Sequence, residues 1–342
     1  MGDAIGDVPP VTEPRAASIA RLGFGCVKLG SADSLKGSPT RLVRQALDSG
    51  VTFFDTADAY GAGTSERVLG AALRSERSQV IIATKGGYLF RERSRIERGA
   101  RRVLGPVITR VRARGSAHRQ VGQGAASRAS SYSQQDFSAA YLRAAINGSL
   151  RRLRTDYIDI YQLHGPKSLC SDETVELMDE LLRSGTVRRF GVGLEELDNA
   201  EAWVRVRTLS SVQLPFGLLD PGARAVFPAV DRAGARLICR GVFGSGLLDA
   251  GPPADPSDPN HGKLEVVRAV RRLAGEVGVT THQLAVWWVL AEPRVETMLV
   301  GINSSDHLTS TVRYATTPCL DEDVLKRLDE VIAANEPGGS IS

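Results

Sequence analysis

The chain has 342 residues, 42% of them hydrophobic, and 35 glycines, so it can bury a large core as one α/β domain or as two smaller ones. Neither end carries a charged segment followed by an apolar one, and no run of 18 uncharged apolar residues occurs, which predicts a cytoplasmic protein without membrane spans. The four cysteines have no CxxC spacing and the five histidines are dispersed, which argues against a zinc ribbon, a disulfide framework and a metal site.

Short β-branched or apolar runs of strand length recur eight times along the chain, at residues 21–27, 51–55, 80–85, 157–164, 189–194, 211–216, 236–242 and 297–302. Amphipathic stretches of helical period separate most of them; examples lie at 38–50, 138–153, 171–185 and 280–292, and one more follows at 321–335. Strands that alternate with helices pair in parallel. Eight such units favour a closed (β/α)8 TIM barrel, as a single domain over residues 1–342, rather than an open doubly wound sheet.

The net charge of +4 is unevenly distributed. Residues 91–130 contain eleven arginines against two glutamates, a surplus of nine that leaves −5 for the rest of the chain. This segment has few aromatic residues that could stack on bases, so we expect no nucleic-acid partner. It leads into the low-complexity run GQGAASRASSYSQQ, which is typical of a solvent-exposed loop that extends from a folded domain.

Residues 88–135 form one long Arg-rich insertion after the strand that ends at Lys85. A structureless loop of that length is uncommon in a compact domain and is usually functional or disordered. Because the insertion begins on the face where the strands end, we expect it to be partly disordered and partly folded over the mouth of the barrel, where it shapes access of the substrate.

Polar side chains stand at the ends of three successive predicted strands. Asp55, Lys85 and His164 end the second, third and fourth runs, and Tyr60 lies in the loop just after Asp55. In parallel barrels the chemistry lies at the carboxyl ends of the strands. Each of these residues alone has an ordinary structural explanation, such as a helix cap or core packing. Their joint occurrence at neighbouring strand ends predicts that they meet in one site.

This set of side chains suits the reduction of a carbonyl group. Hydride delivery to a carbonyl carbon creates an alkoxide that needs a nearby proton donor, and the Tyr60 phenol fits that role. The pKa of free tyrosine is about 10, so the Lys85 ammonium is expected to stabilise the phenolate. A lysine that faces the interior keeps its charge when a carboxylate pairs with it, which gives Asp55 its role. His164 then orients the carbonyl by hydrogen bonding.

The chain resembles the aldo-keto reductase family from RLGFGCVKLG to HLTSTVRY, most specifically in FFDTADAYGAGTSERVLGAAL, IIATKGG, SLRRLRTDYIDIYQLHG and GTVRRFGVG. The family pattern is an Asp, a Tyr five residues later, a Lys that ends the next strand and a His that ends the following one. It is complete here in Asp55, Tyr60, Lys85 and His164. The resemblance implies a (β/α)8 barrel, NADPH or NADH bound across its mouth, and reversible reduction of an aldehyde or ketone.

The same resemblance implies a set of residues for the nicotinamide and the pyrophosphate. Gln213 matches the glutamine that holds the carboxamide, whereas Gly193 and Leu194 stand where the family has Ser-Asn. Arg240 replaces an aromatic residue that stacks on the nicotinamide ring, and a guanidinium plane can stack in its place. The other residues implied here are Asp55, Gly25, Cys26, Val27, Gly241, Val242, Gly244, Gly246 and Leu247.

The adenosine end of the cofactor is expected at VGINSSDHLTST, where the family grips the 2′-phosphate with a strand-to-helix loop. This loop contains Gly301, Ile302 and Asn303. His307 stands in place of a frequent arginine, and Thr311 in place of a frequent asparagine. A neutral histidine is a weaker phosphate partner than arginine. NADPH remains the expected cofactor, with NADH as the alternative.

Two other functions use the same scaffold. A glycoside hydrolase requires two carboxylates, which Glu195 or Glu196 with Asp55 could supply. That function leaves Lys85 and Tyr60 without a role. A regulatory subunit would bind a nicotinamide cofactor without turnover, and the complete set of four polar residues argues against it.

The substrate is expected to be a small carbonyl or alcohol whose identity the sequence does not encode. Phe24, Tyr88 and Phe216 are expected to line its pocket. The resemblance favours a monomer.

Overall fold

The computed structural model describes residues 19–31, 35, 37–90, 134–251, 255, 257–317 and 322–335. Eight strands form a closed barrel in which each strand pairs with its neighbours in chain order and β8 pairs with β1. They are β1 Leu22–Gly25, β2 Phe53–Asp55, β3 Ile81–Gly86, β4 Ile160–His164, β5 Phe190–Gly193, β6 Leu209–Pro215, β7 Arg236–Arg240 and β8 Val295–Gly301. All eight pairings are parallel, and each predicted run overlaps one strand, so the predicted (β/α)8 barrel is confirmed.

Ten α-helices within the described ranges follow the strands or connect them. They are α1 Pro39–Asp48, α2 Thr64–Ala72, α3 Ala139–Leu153, α4 Asp172–Arg183, α5 Ala200–Trp203, α6 Phe227–Arg232, α7 His261–Glu276, α8 Thr281–Ala291, α9 Ser305–Thr316 and α10 Glu322–Asn335. Five of them begin after a Ser or Thr whose side chain accepts a backbone hydrogen bond from the first turn, namely Ser38, Ser138, Ser171, Thr280 and Ser304. Among the residues described, a helix with the length and apolar character to cross a bilayer does not occur.

The alternation of side chains along the strands separates a small inner core from a large outer one. Five buried residues from five strands form the inner cluster, namely Phe53, Ala83, Ile160, Ile238 and Leu299. Phe53 and Asp55 are two residues apart on β2, and Ala83 and Lys85 are two apart on β3, so each pair shares a face. The interior of the barrel therefore carries an apolar layer, with Asp55 and Lys85 above it toward the carboxyl ends of the strands.

The outer core packs the opposite faces of the strands against the helices. Trp287 and Trp288 of α8 are both buried there. Their indole nitrogens donate to the Tyr314 carbonyl oxygen at 2.9 Å and to Asp329 Oδ1 at 2.7 Å, so these large side chains bury their polar atoms with hydrogen-bond partners.

The predicted insertion lies outside the described residues except at its two ends, 88–90 and 134–135. These ends pair with each other through an antiparallel bridge between Tyr88 and Gln135. Gln135 Nε2 also donates to the carbonyl oxygens of His164 and Gly165, at 2.9 and 3.0 Å. The insertion therefore leaves the barrel, and returns to it, beside the end of β4.

Candidate active site

The structure places the four predicted polar residues together at the carboxyl ends of neighbouring strands. Asp55 is the last residue of β2, Lys85 lies near the end of β3, and His164 is the last residue of β4. Tyr60 follows β2 in a short turn, in which its backbone N–H donates to the Ala57 carbonyl oxygen at 3.1 Å. The barrel thus brings together residues that are up to 109 positions apart in the chain.

The turn after Tyr60 depends on a close approach between two glycines. Gly61 has φ +61°, in the left-handed region. A Cβ built on Gly61 would lie 2.1 Å from the Gly30 carbonyl oxygen, and one built on Gly30 would lie 2.6 Å from the Gly61 nitrogen. Neither position accepts a side chain, so the two glycines determine where the Tyr60 backbone sits.

Lys85 and Asp55 form a buried ion pair. Lys85 Nζ donates to both Asp55 carboxylate oxygens at 2.6 Å and to the Thr56 carbonyl oxygen at 3.0 Å. Gln213 Nε2 donates to Asp55 Oδ1 at 2.8 Å. These bonds engage the three N–H groups of the ammonium and share the carboxylate charge between two donors, which satisfies the pair away from water.

Three rings stand beside this ion pair. The Tyr60 and His164 rings meet edge to face with centroids 5.7 Å apart, and Tyr88 meets His164 in the same way at 4.8 Å. Lys85 Nζ lies 5.5 Å from the centroid of the Tyr60 ring. The phenol ring and the imidazole ring are therefore neighbours, with the ammonium near the phenol ring.

Burial raises the pKa of the Tyr60 phenol well above its ordinary value; the Asp55 carboxylate raises it further, and Arg240 opposes the rise. The pKa of Tyr60 is thus raised although the Lys85 ammonium lies near its ring, because Asp55 balances the charge of Lys85 with both of its oxygens. The expected role of Lys85 in stabilising the Tyr60 phenolate stays a prediction. Burial also lowers the pKa of His164 well below its ordinary value, and Lys85 and Arg240 lower it further. The site thus holds a neutral phenol and a neutral imidazole.

These groups open into a cavity of about 1310 Å³ that runs along the mouth of the barrel. Tyr60 and His164 line one part of it, and the residues that begin α9 line another. Most of the predicted cofactor and substrate residues line this cavity as well, namely Gly25, Cys26, Val27, Asp55, Tyr88, Gly193, Gln213, Arg240, Gly241, Val242, Gly246, Gly301, Asn303, His307 and Thr311.

Four predicted cofactor residues, Leu194, Gly244, Leu247 and Ile302, are not part of the cavity wall. The Leu194 and Ile302 side chains are buried in the core. The Leu194 backbone still lies at the site, since its N–H donates to the Gln213 carbonyl oxygen and its own carbonyl oxygen accepts from Arg240 Nη2.

Two predicted pocket residues, Phe24 and Phe216, lie in the outer core instead, with side chains that are fully buried. Phe24 packs beside Phe54 with ring centroids 5.9 Å apart, and Phe216 stacks on Trp288 at 4.8 Å. Strand alternation explains why Phe24 does not line the pocket. Gly25 lines the cavity, and the side chain of the residue before it points to the opposite face of the strand. The expectation that these two phenylalanines line the pocket is therefore wrong.

The cavity wall also includes charged residues that the sequence analysis did not assign to it. They are Lys28, Glu195, Asp249, His282 and Asp306. His282 Nε2 lies 3.4 Å from Asp249 Oδ1, and Phe243 contacts the rings of both His282 and His307. Position could have identified Lys28, Glu195 and Asp249, which lie in the segments that follow β1, β5 and β7, whereas His282 and Asp306 belong to α8 and α9.

No group of three or more His, Cys, Asp or Glu side chains within the described part of the chain is arranged to hold a metal ion. The cavity wall instead offers a ligand hydrogen-bonding groups and charged side chains. Its donors and acceptors include amides, hydroxyls, imidazoles, carboxylates, the Lys28 ammonium and the Arg240 guanidinium.

A closed parallel barrel with a polar cluster at the carboxyl ends of its strands defines a (β/α)8 barrel of the kind that carries enzyme active sites. The model of the aldo/keto reductase family matches residues 21–333. The chain belongs to this family, and the resemblance inferred from its motifs is confirmed.

Known relatives cover most of the chain. An uncharacterized oxidoreductase of Bacillus subtilis (strain 168), YqkF, is 27% identical over 321 residues, which cover 91% of this chain and 92% of the relative. A D-threo-aldose 1-dehydrogenase from a Pseudomonas species is 28% identical over 324 residues, 89% of this chain and 93% of the relative.

Solved structures show the same fold. The holo form of an aldo-keto reductase from Bacillus halodurans is 26% identical, with a TM-score of 0.72 over 93% of this chain and 94% of that one. An aldo/keto reductase from Klebsiella pneumoniae, solved in complex with NADP and acetate, is 21% identical, with a TM-score of 0.65 over 93% of this chain and 92% of that one. At 21% identity, the similarity to the Klebsiella pneumoniae structure shows a shared fold and no more.

Proposed function

We propose that the protein is an NAD(P)H-dependent oxidoreductase that reduces an aldehyde or ketone reversibly to an alcohol, with Tyr60 as the proton donor. The observation that carries this proposal is the placement of Tyr60 and His164 side by side, edge to face at 5.7 Å, above the buried Lys85–Asp55 pair and at the wall of a large cavity. Membership of a family of oxidoreductases supports it.

The cavity fits a dinucleotide. Its volume of about 1310 Å³ exceeds the range of about 300–1,000 Å³ that is typical of small-ligand pockets. Gln213 donates to Asp55 through Nε2, which leaves its Oε1 to accept from a carboxamide. Gly241 and Gly246 line the cavity, and a Cβ at either position would meet no atom within 4 Å, so backbone at both positions is open to a ligand. We therefore place the nicotinamide near Gln213 and Arg240, and the pyrophosphate against the loop of Gly241 to Gly246.

When bound, the reduced nicotinamide supplies the hydride that adds to the carbonyl carbon. Tyr60 donates its proton to the carbonyl oxygen, so that the carbonyl becomes an alcohol. We assign the ring proton of the neutral His164 to Nε2, because a proton on Nδ1 would be buried without an acceptor among the residues described. The Nε2–H group then donates a hydrogen bond to the same oxygen. Lys85, held by Asp55, stabilises the negative charge left on the Tyr60 oxygen after proton transfer.

The high pKa of Tyr60 suits a proton donor that must stay protonated until the carbonyl oxygen gains charge. In the direction of alcohol oxidation the same oxygen must accept a proton. The Lys85 and Arg240 cations and the positive charge of the oxidised nicotinamide favour that step.

We propose NADPH as the preferred cofactor, with NADH as the alternative. Lys28 is a cation of the cavity wall and acts electrostatically on His307, whose pKa is lowered by burial and then by the neighbouring His282. Asp306, in the first turn of α9, also lines this part of the cavity and opposes a phosphate. Fluorescence titration with NADPH and NADH compares the two dissociation constants directly, and a lower value for NADH would contradict this preference.

The only partner that we propose for this protein is its small-molecule substrate, a carbonyl compound or an alcohol. We expect a cytoplasmic monomer without nucleic-acid or membrane partners. Size-exclusion chromatography with light scattering tests the oligomeric state.

The experiment that tests the function follows NADPH absorbance with a panel of aldehydes and ketones, for the unmodified chain and Tyr60→Phe. Turnover that depends on Tyr60 supports the oxidoreductase. Cofactor binding without turnover of any carbonyl would favour the regulatory subunit. No cofactor binding, together with release of sugar from a glycoside, would favour the hydrolase, although Glu195 is paired with Arg240 in the structure.

A further inference from the structure

An ion pair at the cavity wall neither donates nor accepts the proton in the transfer proposed above. Arg240 Nη2 donates to Glu195 Oε2 at 2.7 Å and to the Leu194 carbonyl oxygen at 2.8 Å. Arg240 ends β7, and Glu195 follows the end of β5, so the pair spans the end of β6 between them. Both side chains line the cavity that contains Tyr60 and His164.

Tyr88 connects this ion pair to the carbonyl site. Its ring meets the His164 imidazole at 4.8 Å. A Cβ built on Gly165 would lie 3.2 Å from the Tyr88 hydroxyl and 3.2 Å from Glu195 Cγ, so the two side chains flank one backbone position. The charge of Glu195 raises the pKa of both Tyr60 and Tyr88, and the charge of Arg240 lowers both, which places the pair within electrostatic reach of the two phenols. We call Tyr88, Glu195 and Arg240 the polar arc.

The polar arc combines three kinds of hydrogen-bonding group. A carboxylate only accepts, a guanidinium only donates, and a phenol does both. Both hydrogen bonds of Arg240 come from Nη2, and its Nη1 and Nε carry further N–H groups. The Glu195 and Arg240 side chains are 57% and 31% exposed, so a ligand can reach them while the ion pair stays intact.

These groups discriminate among substrates by the substituent on the carbon next to the carbonyl group. A hydroxyl group donates to Glu195 and accepts from Arg240 or Tyr88, and therefore satisfies the arc. An alkyl group would cover the ion pair and remove water from it without replacing the lost hydrogen bonds. A carboxylate would be attracted to Arg240 but repelled by Glu195, which already neutralises that guanidinium.

We propose that the polar arc makes small hydroxylated aldehydes and ketones, with a hydroxyl on the carbon next to the carbonyl, the substrate class of this site, and that Glu195 is its specificity-determining residue. This assignment rests on the proposed function, because it names the substrate of the same reaction.

The test compares kcat/KM for three carbonyl compounds, each expressed per free aldehyde because all three hydrate in water: glyceraldehyde, propanal and the anionic glyoxylate. The unmodified protein is expected to favour glyceraldehyde over propanal by about tenfold or more, which corresponds to one charge-assisted hydrogen bond. Glu195→Gln keeps the size of the side chain and removes its charge. It should lower the preference for glyceraldehyde about tenfold and raise kcat/KM for glyoxylate, since Arg240 is no longer neutralised.

Glu196→Gln is the matched control. Glu196 is the next residue in the same exposed loop and does not line the cavity, so all three kcat/KM values should stay unchanged. Should Glu195→Gln fail to fold, inhibition of the unmodified protein provides a second measurement. Glycerol is then expected to compete with the carbonyl substrate at a lower concentration than propan-1-ol.

The outcomes separate this assignment from the proposed function. Turnover of propanal and glyceraldehyde with equal efficiency, or an unchanged ratio in Glu195→Gln, overturns the substrate class but leaves the oxidoreductase in place. The absence of cofactor oxidation with every carbonyl compound overturns the proposed function, and the substrate class with it.

Discussion

The Asp55 carboxylate holds the Lys85 ammonium through both of its oxygens at 2.6 Å, inside a barrel where both residues are at most 5% exposed. Desolvation of two such ions is costly, and their mutual attraction offsets that cost only while both are present. Stability and chemistry therefore depend on the same pair.

Breaking this pair should destabilise the fold. Asp55→Asn leaves a buried ammonium without its counter-charge, so we expect the free energy of unfolding to fall by about 3–5 kcal/mol, measured by urea denaturation. Lys85→Met should have a similar effect, and the double variant should recover part of the loss because no unpaired charge remains. Glu180→Gln, which breaks the surface pair with Arg143, serves as the control and should leave the unfolding curve unchanged. Equal curves for Asp55→Asn and Glu180→Gln would contradict the argument.

Removal of the Tyr60 hydroxyl should affect turnover without affecting cofactor binding. Tyr60→Phe keeps the ring that packs against His164 and loses only the hydroxyl group that donates the proton, so kcat should fall by about 10²–10⁴ while the dissociation constant of NADPH stays the same. Tyr157→Phe is the matched control. Its hydroxyl bonds to the Arg77 carbonyl oxygen, away from the cavity, and kcat should be retained. Full turnover in Tyr60→Phe would remove the proton-donor assignment.

Stability should decrease as the pH falls below the ordinary pKa of histidine. The folded-state pKa of His164 is lowered well below that value, so below about pH 6.5 the unfolded chain binds a proton that the folded chain does not. The free energy of unfolding should therefore decline between about pH 7 and pH 5, and His164→Asn should weaken that decline. His307, whose pKa is also lowered, should contribute in the same direction.

The measurement is chemical denaturation at several pH values. His261→Gln, at the partly exposed start of α7, is the control and should keep the slope of the unmodified protein. If His164→Asn leaves the slope of the free energy of unfolding against pH unchanged, the His164 imidazole does not control the pH dependence of stability.

The contact between Gly61 and Gly30 predicts a difference between two glycine substitutions. Gly61 and Gly185 both have positive φ, at +61° and +72°, so alanine at either position is expected to cost about 1–2 kcal/mol of backbone strain. A Cβ at Gly185 would meet no atom within 4 Å, whereas one at Gly61 would collide with backbone. Gly61→Ala should therefore be the more destabilising change. It should also lower kcat by about tenfold or more, because it displaces Tyr60.

Unfolding and steady-state kinetics of the two variants test this prediction. Gly185→Ala should retain kcat, since Gly185 follows the C-cap of α4 and does not line the cavity. Equal kcat values for the two variants would show that the position of Tyr60 does not depend on the glycine contact.

Part of the site was predictable because strand periodicity is local. Phe53 and Asp55 share one face of β2, and the same alternation, applied to Gly25, would have excluded Phe24 from the pocket. Phe216 was harder to exclude, because the rings that bury it, those of Phe227 and Trp288, belong to two different helices, and Trp288 lies 72 residues further along the chain.

The sequence by itself determined the barrel and the four residues of the proposed chemistry, because the repeat of strands and helices and the positions of strand ends are properties of short segments. The pairing of Asp55 with Lys85 was predicted as well, but only the tertiary structure decided which charges meet at the cavity wall. Glu195 and Arg240 are 45 residues apart, and the ordinary pKa of Tyr60 changes through burial and through the neighbouring Asp55. Such pairings depend on distances across the closed barrel, and distance through space is what sets both electrostatic energy and the shape of the cavity.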